Sequence, residues 1–161
     1  MNWRTKHERD HSNACQHAFR SSEHVLAAHE EPPLGAHLVT DRALYCHHGI
    51  YVGAGRVVHY GGFAAGLRRR PVEDVSLEQF GRGRGIRIRG GVAHFGREQI
   101  VERARSRLGE SDYRLLTNNC EHFSEWCLRA RSRSRQVEAL RSALPRVFAA
   151  FGRVRHAVTW A

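Results

Sequence analysis

Apolar positions recur first with a period of two and later with a period near 3.6, so the chain is expected to build a sheet and then lay helices against it. Gly49-Ile50-Tyr51-Val52-Gly53 and Arg56-Val57-Val58-His59-Tyr60 are rich in β-branched and aromatic residues. Ala54-Gly55 between them is a two-residue turn signal, and the pair predicts a β-hairpin. Upstream, Pro32-Pro33 and Gly35 introduce a shorter run, Leu38-Val39, expected as an earlier strand. Downstream, Ile86-Arg87-Ile88-Arg89 alternates apolar and basic positions, the pattern of a strand with one buried and one solvated face. Between them Gly61-Gly62 releases the chain into a loop expected to run past Arg68-Arg69-Arg70 to Arg84 and to shape any pocket beside the hairpin.

From Arg97 to Leu108 the spacing of Ile100, Val101, Ala104 and Leu108 predicts a helix that Gly109 stops. A second helix starts at Asn118 or Asn119, whose side chains accept hydrogen bonds from first-turn N–H groups, and it carries Cys120, Phe123 and Cys127 along one side. A last amphipathic segment runs through Leu140, Leu144, Val147, Phe148, Phe151 and Val154, kinked or opened by Pro145. The fold class is therefore α+β, a small antiparallel sheet packed against helices.

At 161 residues the chain supports one domain with a real core. Residues 1–31 carry His7, His11, His17, His24 and His29 among charged and small residues and read as a disordered, His-rich arm. Those histidine spacings match no compact zinc module. Residues 32–135 hold the predicted elements, and 136–161 read as a basic amphipathic tail. The formal net charge is +10, almost wholly from arginine, since Lys6 is the only lysine. The arginines crowd toward the end, from Arg129, Arg131, Arg133 and Arg135 to Arg153 and Arg155, which makes that region the expected contact for an anionic partner. No apolar run approaches the roughly 18 residues of a spanning helix, and no apolar stretch marks a secretory signal, so the chain is expected to be cytoplasmic and to meet a membrane only peripherally. Its four cysteines, at 15, 46, 120 and 127, suggest no disulfide framework in a reducing compartment. Cys120 and Cys127 on one helix stand about 10.5 Å apart, too far to bridge.

Cys120 is the residue with the most chemistry. A helix N-terminus offers unpaired N–H groups and partial positive charge, which favour a thiolate. A cysteine nucleophile also needs an imidazole to take its proton, and that imidazole needs a third group to fix its tautomer. His47 opens one hairpin strand and His59 closes the next, so a turn at Ala54-Gly55 brings them opposite each other. A zinc site drawn from His47, His48, His59, Cys120 and His122 competes with this reading. His47 and His48 point to opposite faces of a strand, and His122 lies about 200° around the helix from Cys120, so only three of the five converge.

The stretch Y-C-H-H-G-I-Y-V-G, followed by R-V-V-H-Y and the late N-C-E-H-F, resembles the lecithin:retinol acyltransferase family, within the papain-like thiol enzymes. The resemblance spans roughly residues 33–128. It implies a circularly permuted papain-like (NlpC-like) fold with the nucleophile at a helix N-terminus. By the same resemblance Cys120 is the nucleophile, His47 the general base and acid, and His59 the residue that orients it. Tyr113, Asn119 and first-turn amides would line the site, and neither cofactor nor metal is implied. Gly35-Ala36 departs from the glycine-aspartate that usually introduces the family's early strand.

The function expected is thiol-dependent acyl transfer or hydrolysis on an acyl ester, a phospholipid above all, through a Cys thioester. A peptidase or isopeptidase would use the same site on an amide. A non-enzymatic basic module would instead bind membrane or nucleic acid through the C-terminal arginines, although no aromatic-basic interleaving or nucleic-acid motif supports the latter.

Overall fold

The computed structural model describes residues 23–27, 29–63, 69–139 and 141–142. These form an α+β fold of β1 (Glu23–Val25), β2 (His37–Asp41), β3 (Cys46–Gly53), β4 (Arg56–Phe63), β5 (Arg69–Ser76), α1 (Leu77–Gly81), β6 (Ile86–Arg89), α2 (Arg97–Ser106) and α3 (Cys120–Arg129). The six strands make one antiparallel sheet in the order β1-β6-β2-β3-β4-β5.

The β3–β4 hairpin is the centre of the sheet, and its two-residue alternation feeds two cores. Ile50, Val52, Val58 and Tyr60 face α2 and α3, packing with Ile100, Val101, Ala104, Phe123 and Cys127. Tyr51 and Val57 face the other way, onto Leu38 and the Phe80 ring of α1. Because β3 is buried on both faces, Ile50-Tyr51-Val52 run without polar alternation, and the polar His47 and His48 of the same strand are buried too. Ala54 and Gly55 both take positive φ, 50° and 68°, which a I′ hairpin turn requires. The register slips between Tyr51 and Gly53.

Several expectations change here. Of the segment expected as a loop from Gly61 to Arg84, the described residues form the end of β4, all of β5, and α1, which a Ser76/Gln79 capping box opens, while 64–68 lie outside the described residues. Pro71 is tolerated in β5 because that strand is an edge. Within the expected arm 1–31, Glu23–Val25 pairs with β6 at the opposite edge, while 1–22 lie outside the described residues. The basic positions of β6 are not on a solvated face. Arg87 forms a double hydrogen bond to Asp41, and Arg89, with its side chain 8% exposed, reaches Glu121 at 3.2 Å. Of the expected tail, Gln136 and Val137 sit in a helical stretch, 135–139, docked on the body, while 143–161 lie outside the described residues. Cys46 is disulfide-bonded, against the expectation for the cysteines, whereas Cys120 and Cys127 are free.

Candidate active site

Cys120 opens α3 because Asn119 stops the helix from starting earlier. Asn119 is extended (φ −105°, ψ −176°), and its Oδ1 accepts from the N–H groups of Glu121 and His122 at 3.0 and 3.1 Å. His122 returns the bond, its Nδ1 accepting from the Asn119 N–H at 3.4 Å. That makes the imidazole half of a capping box. The Asn119 side-chain amide also donates to the Leu115 carbonyl at 2.8 Å, tying the preceding turn to the helix start.

The thiol is 3% exposed, and its Sγ lies 3.9 Å from the Cys46 carbonyl. Burial pushes its pKa up to about 12, outweighing hydrogen bonds from the backbones of His48, Glu121 and Cys120 itself. The thiolate favoured by a helix terminus is thus overruled by desolvation, and the resting group is a neutral thiol. Tyr113, expected to line the site, is buried with its ring 5.1 Å from that of Tyr60, and burial followed by the Cys120 charge raises its hydroxyl pKa.

His47 and His59 meet on the opposite face of the hairpin. Ile50 pairs with Val58, so His47 and His59 are diagonal neighbours on one face rather than direct partners. His47 Nε2 lies 2.9 Å from His59 Nδ1. Phe80 closes over both rings, with centroids 5.4 and 5.6 Å away. Gly49 makes room for this stack, because a Cβ there would stand 2.7 Å from Val57 Cγ1 and 2.9 Å from the Phe80 ring. Desolvation holds His47 well below its ordinary 6.5 and brings His59 down to about 4. His47 Nδ1 is buried with no hydrogen-bond partner.

A residue that sequence reasoning missed completes this line. Glu73 pairs directly with His59 across β4 and β5, and its Oε1 is 3.5 Å from His59 Nε2. Arg70 holds the other carboxylate oxygen at 2.6 Å. His47, His59 and Glu73 share a cavity of about 310 Å³ with Tyr45, Phe80 and three arginines, Arg42, Arg70 and Arg82. Cys120 does not line it.

At the start of α3 lies a second polar cluster that sequence reasoning also missed. His48 Nδ1 contacts His37 Nε2 at 3.0 Å, and its Nε2 meets the Gln136 amide at 3.1 Å. Gln136 brackets Cys46, accepting from its N–H at 3.0 Å and donating to its carbonyl at 3.2 Å. Glu121, 1% exposed, accepts from Ser134, Gln136 and Arg89. His48 and His122 are therefore committed elsewhere and do not join the His47–His59 pair, and Cys120 Sγ reaches the backbone beside His47 rather than its ring. Among the described residues no group of three or more His, Cys, Asp or Glu side chains is arranged to hold a metal ion.

A cysteine at a helix start and a histidine pair on the adjoining hairpin are thus placed in one domain. Residues 30–133, more than half of the chain, match the family model described as lecithin retinol acyltransferase. The chain belongs to the lecithin retinol acyltransferase family. The LRAT family is an enzymatic one of acyltransferases and thiol hydrolases on a papain-like fold. No curated protein matches the chain. The matched region of this LRAT chain takes in the hairpin, β5, α1 and the whole of α3, and so includes every residue of the His47-His59-Glu73 line. Among the described residues no helix is long and apolar enough to cross a membrane.

Proposed function

We propose that this LRAT-family chain is a thiol acyltransferase or hydrolase whose acyl donor is a phospholipid, with Cys120 as nucleophile, His47 as general base and acid, and His59 as the residue that orients His47. The observation carrying this reading is the asymmetry of His47, whose Nε2 is held by His59 while Nδ1 is buried and unpartnered. Cys120 Sγ contacts the peptides immediately before and after His47, which brings the sulfur to the same stretch of β3 as the base.

The Glu73 carboxylate 3.5 Å from His59 Nε2 favours hydrogen on that nitrogen, in competition with the Tyr60 carbonyl 3.2 Å from Nδ1. With hydrogen on His59 Nε2, His59 Nδ1 accepts from His47 Nε2–H, which leaves the lone pair of His47 Nδ1 free to take a proton. In the first half-reaction the Cys120 S–H proton passes to His47 as sulfur bonds to the ester carbonyl carbon. Collapse of the tetrahedral adduct breaks the acyl C–O bond, and the proton leaves with the lysolipid hydroxyl. In the second, water or another hydroxyl or amine gives its proton to His47 and attacks the thioester, returning the Cys120 thiol. A neutral thiol and neutral imidazole are a competent resting pair for this, because the proton moves only as the S–C bond forms.

Incubation with phosphatidylcholine vesicles and identification of the products tests the reading. Release of lysolipid and fatty acid by the wild type, and not by Cys120→Ala or His47→Ala, is the expected result. Cleavage of a fluorogenic peptide amide with the lipid left intact would move the chain to the peptidase reading.

A further inference from the structure

Two turns that hold the nucleophile also carry exposed leucines. Leu44 is 88% exposed and Tyr45 40%, in the turn between β2 and β3, directly before the Cys46 whose carbonyl contacts Cys120 Sγ. Leu115 is 57% and Leu116 45% exposed, in the turn whose Leu115 carbonyl accepts from Asn119, the residue before Cys120. Tyr45 packs edge-on against His47, with ring centroids 6.0 Å apart. The apolar side chains are thus within one or two residues of the groups that position the sulfur and the base. Val25, Val92 and Leu108, the other exposed large apolar residues described, lie singly on other segments.

The same rim is cationic. Arg42 shares the first turn with Leu44, Arg114 precedes Leu115, and the positive charges of Arg42 and Arg82 act on the Tyr45 hydroxyl. Asp112 pairs with Arg114 at 3.0 Å, but both are exposed, so that charge is only weakly compensated. Exposed leucines flanked by arginine on the two turns that hold Cys120 match the two layers of an anionic lipid surface, acyl chains below and phosphates above.

We propose that Leu44, Leu115 and Leu116 form a docking rim that enters the surface of an anionic phospholipid bilayer, with Arg42, Arg82 and Arg114 at headgroup level. This rests on the reading that Cys120 takes its acyl group from a phospholipid, and it names the surface from which the donor is drawn. It is distinct from the Arg-rich C-terminal region as a membrane contact. Docking here sets Cys120 and His47 at the membrane face of the domain, so that an ester reaches them without leaving the bilayer.

Co-sedimentation of the full chain with vesicles of phosphatidylcholine, alone and mixed with phosphatidylserine, tests the proposal. The variant Leu44→Ser/Leu115→Ser/Leu116→Ser is expected to bind the mixed vesicles about tenfold more weakly for each of the three leucines, roughly a thousandfold in total. Arg114→Glu is expected to cost at least about fivefold, an effect that salt suppresses. Because the leucines are exposed, the triple variant should keep the wild-type melting temperature and its turnover of a soluble, monomeric acyl ester. Binding of the triple variant equal to wild type overturns the rim, and assigns any residual binding to another surface. Cys120→Ala separates this from the catalytic reading. If it binds vesicles like wild type while the wild type turns over no acyl ester, docking stands and the acyl-transfer reading falls. If the wild type turns over ester and the triple variant loses neither binding nor lipid turnover, the reverse holds.

Discussion

His47 and His59 are joined through Nε2 and Nδ1 at 2.9 Å with their rings at 83° to each other, while the remaining nitrogen of His47 is buried and bonded to nothing. Whether His47 Nε2 donates or accepts in that bond decides whether its Nδ1 is free to take a proton. The hairpin register sets the distance, and Glu73, opposite His59 on β5, lies 3.5 Å from its Nε2.

Loss of His59 should therefore act through His47. His59→Ala is expected to lower lipid turnover by roughly 10²-fold or more, with KM nearly unchanged. Glu73→Gln, which keeps the shape and removes the charge, is expected to cost about tenfold and to alter the pH profile of turnover. Equal losses in kcat and KM for His59→Ala would argue that the ring only shapes the pocket.

The buried histidines also predict an acid limb in stability. His37, His47 and His48 are held well below 6.5 by burial, and His59 at about 4. In the unfolded chain each takes a proton near 6.5, so between that value and its lower folded value the unfolded state binds more protons. Their contribution is then complete above pH 6.5 and falls as pH drops, by up to about 1.4 kcal/mol per pH unit for each histidine. The His59 share stops changing below about pH 4. Asp41 and Glu121, lowered by their partners, act in the same direction only below their ordinary range. Urea unfolding between pH 7 and pH 5 isolates the histidines, and a flat midpoint across that window would contradict this account. At the other end, Cys120 and Cys127, raised from 9.0 to about 12, make stability fall as pH rises above 9.

The hairpin was legible because its chemistry is local. β-Branched residues, a two-residue turn and a histidine at each end carry the β3–β4 pairing, and Asn119 announces the start of α3. Glu73 was not legible. It sits in R-R-P-V-E-D-V, where Pro71 and charged neighbours mask an edge strand whose identity comes from pairing with β4. The protonation state of Cys120 was not legible either. A helix start is visible in N-N-C-E-H-F, but the burial that overrides it comes from β3 and the Tyr113 segment. Gln136 lies ninety residues from Cys46, and only the tertiary fold brings its amide to that peptide.

Gly49 is where the histidine stack admits no side chain. Gly49→Ala puts a methyl 2.7 Å from Val57 and 2.9 Å from Phe80. The expected cost is about 1–3 kcal/mol in unfolding free energy. Turnover should fall with it, because Phe80 must move off His47 and His59. A melting temperature equal to wild type would show that Phe80 has room to yield.

Gln136 closes polar groups that water does not reach. Gln136→Ala leaves Cys46 N–H and His48 Nε2 without the partners they have now, at a cost of about 1–3 kcal/mol. Gln136→Glu should be worse, since it faces a second carboxylate at Glu121. Denaturant unfolding of the two variants gives their order, and an equal or reversed order would contradict the network as drawn.

The central claim is that Cys120 carries an acyl group as a thioester made with the help of His47. Intact mass spectrometry of the protein after brief exposure to a phosphatidylcholine of one chain length measures this directly. The predicted result is a gain of one acyl mass on the wild type that neutral hydroxylamine removes, its absence from Cys120→Ala, and its accumulation slowed by orders of magnitude in His47→Ala. Lipid turnover by the wild type with equal acylation of the Cys120→Ala protein would contradict it.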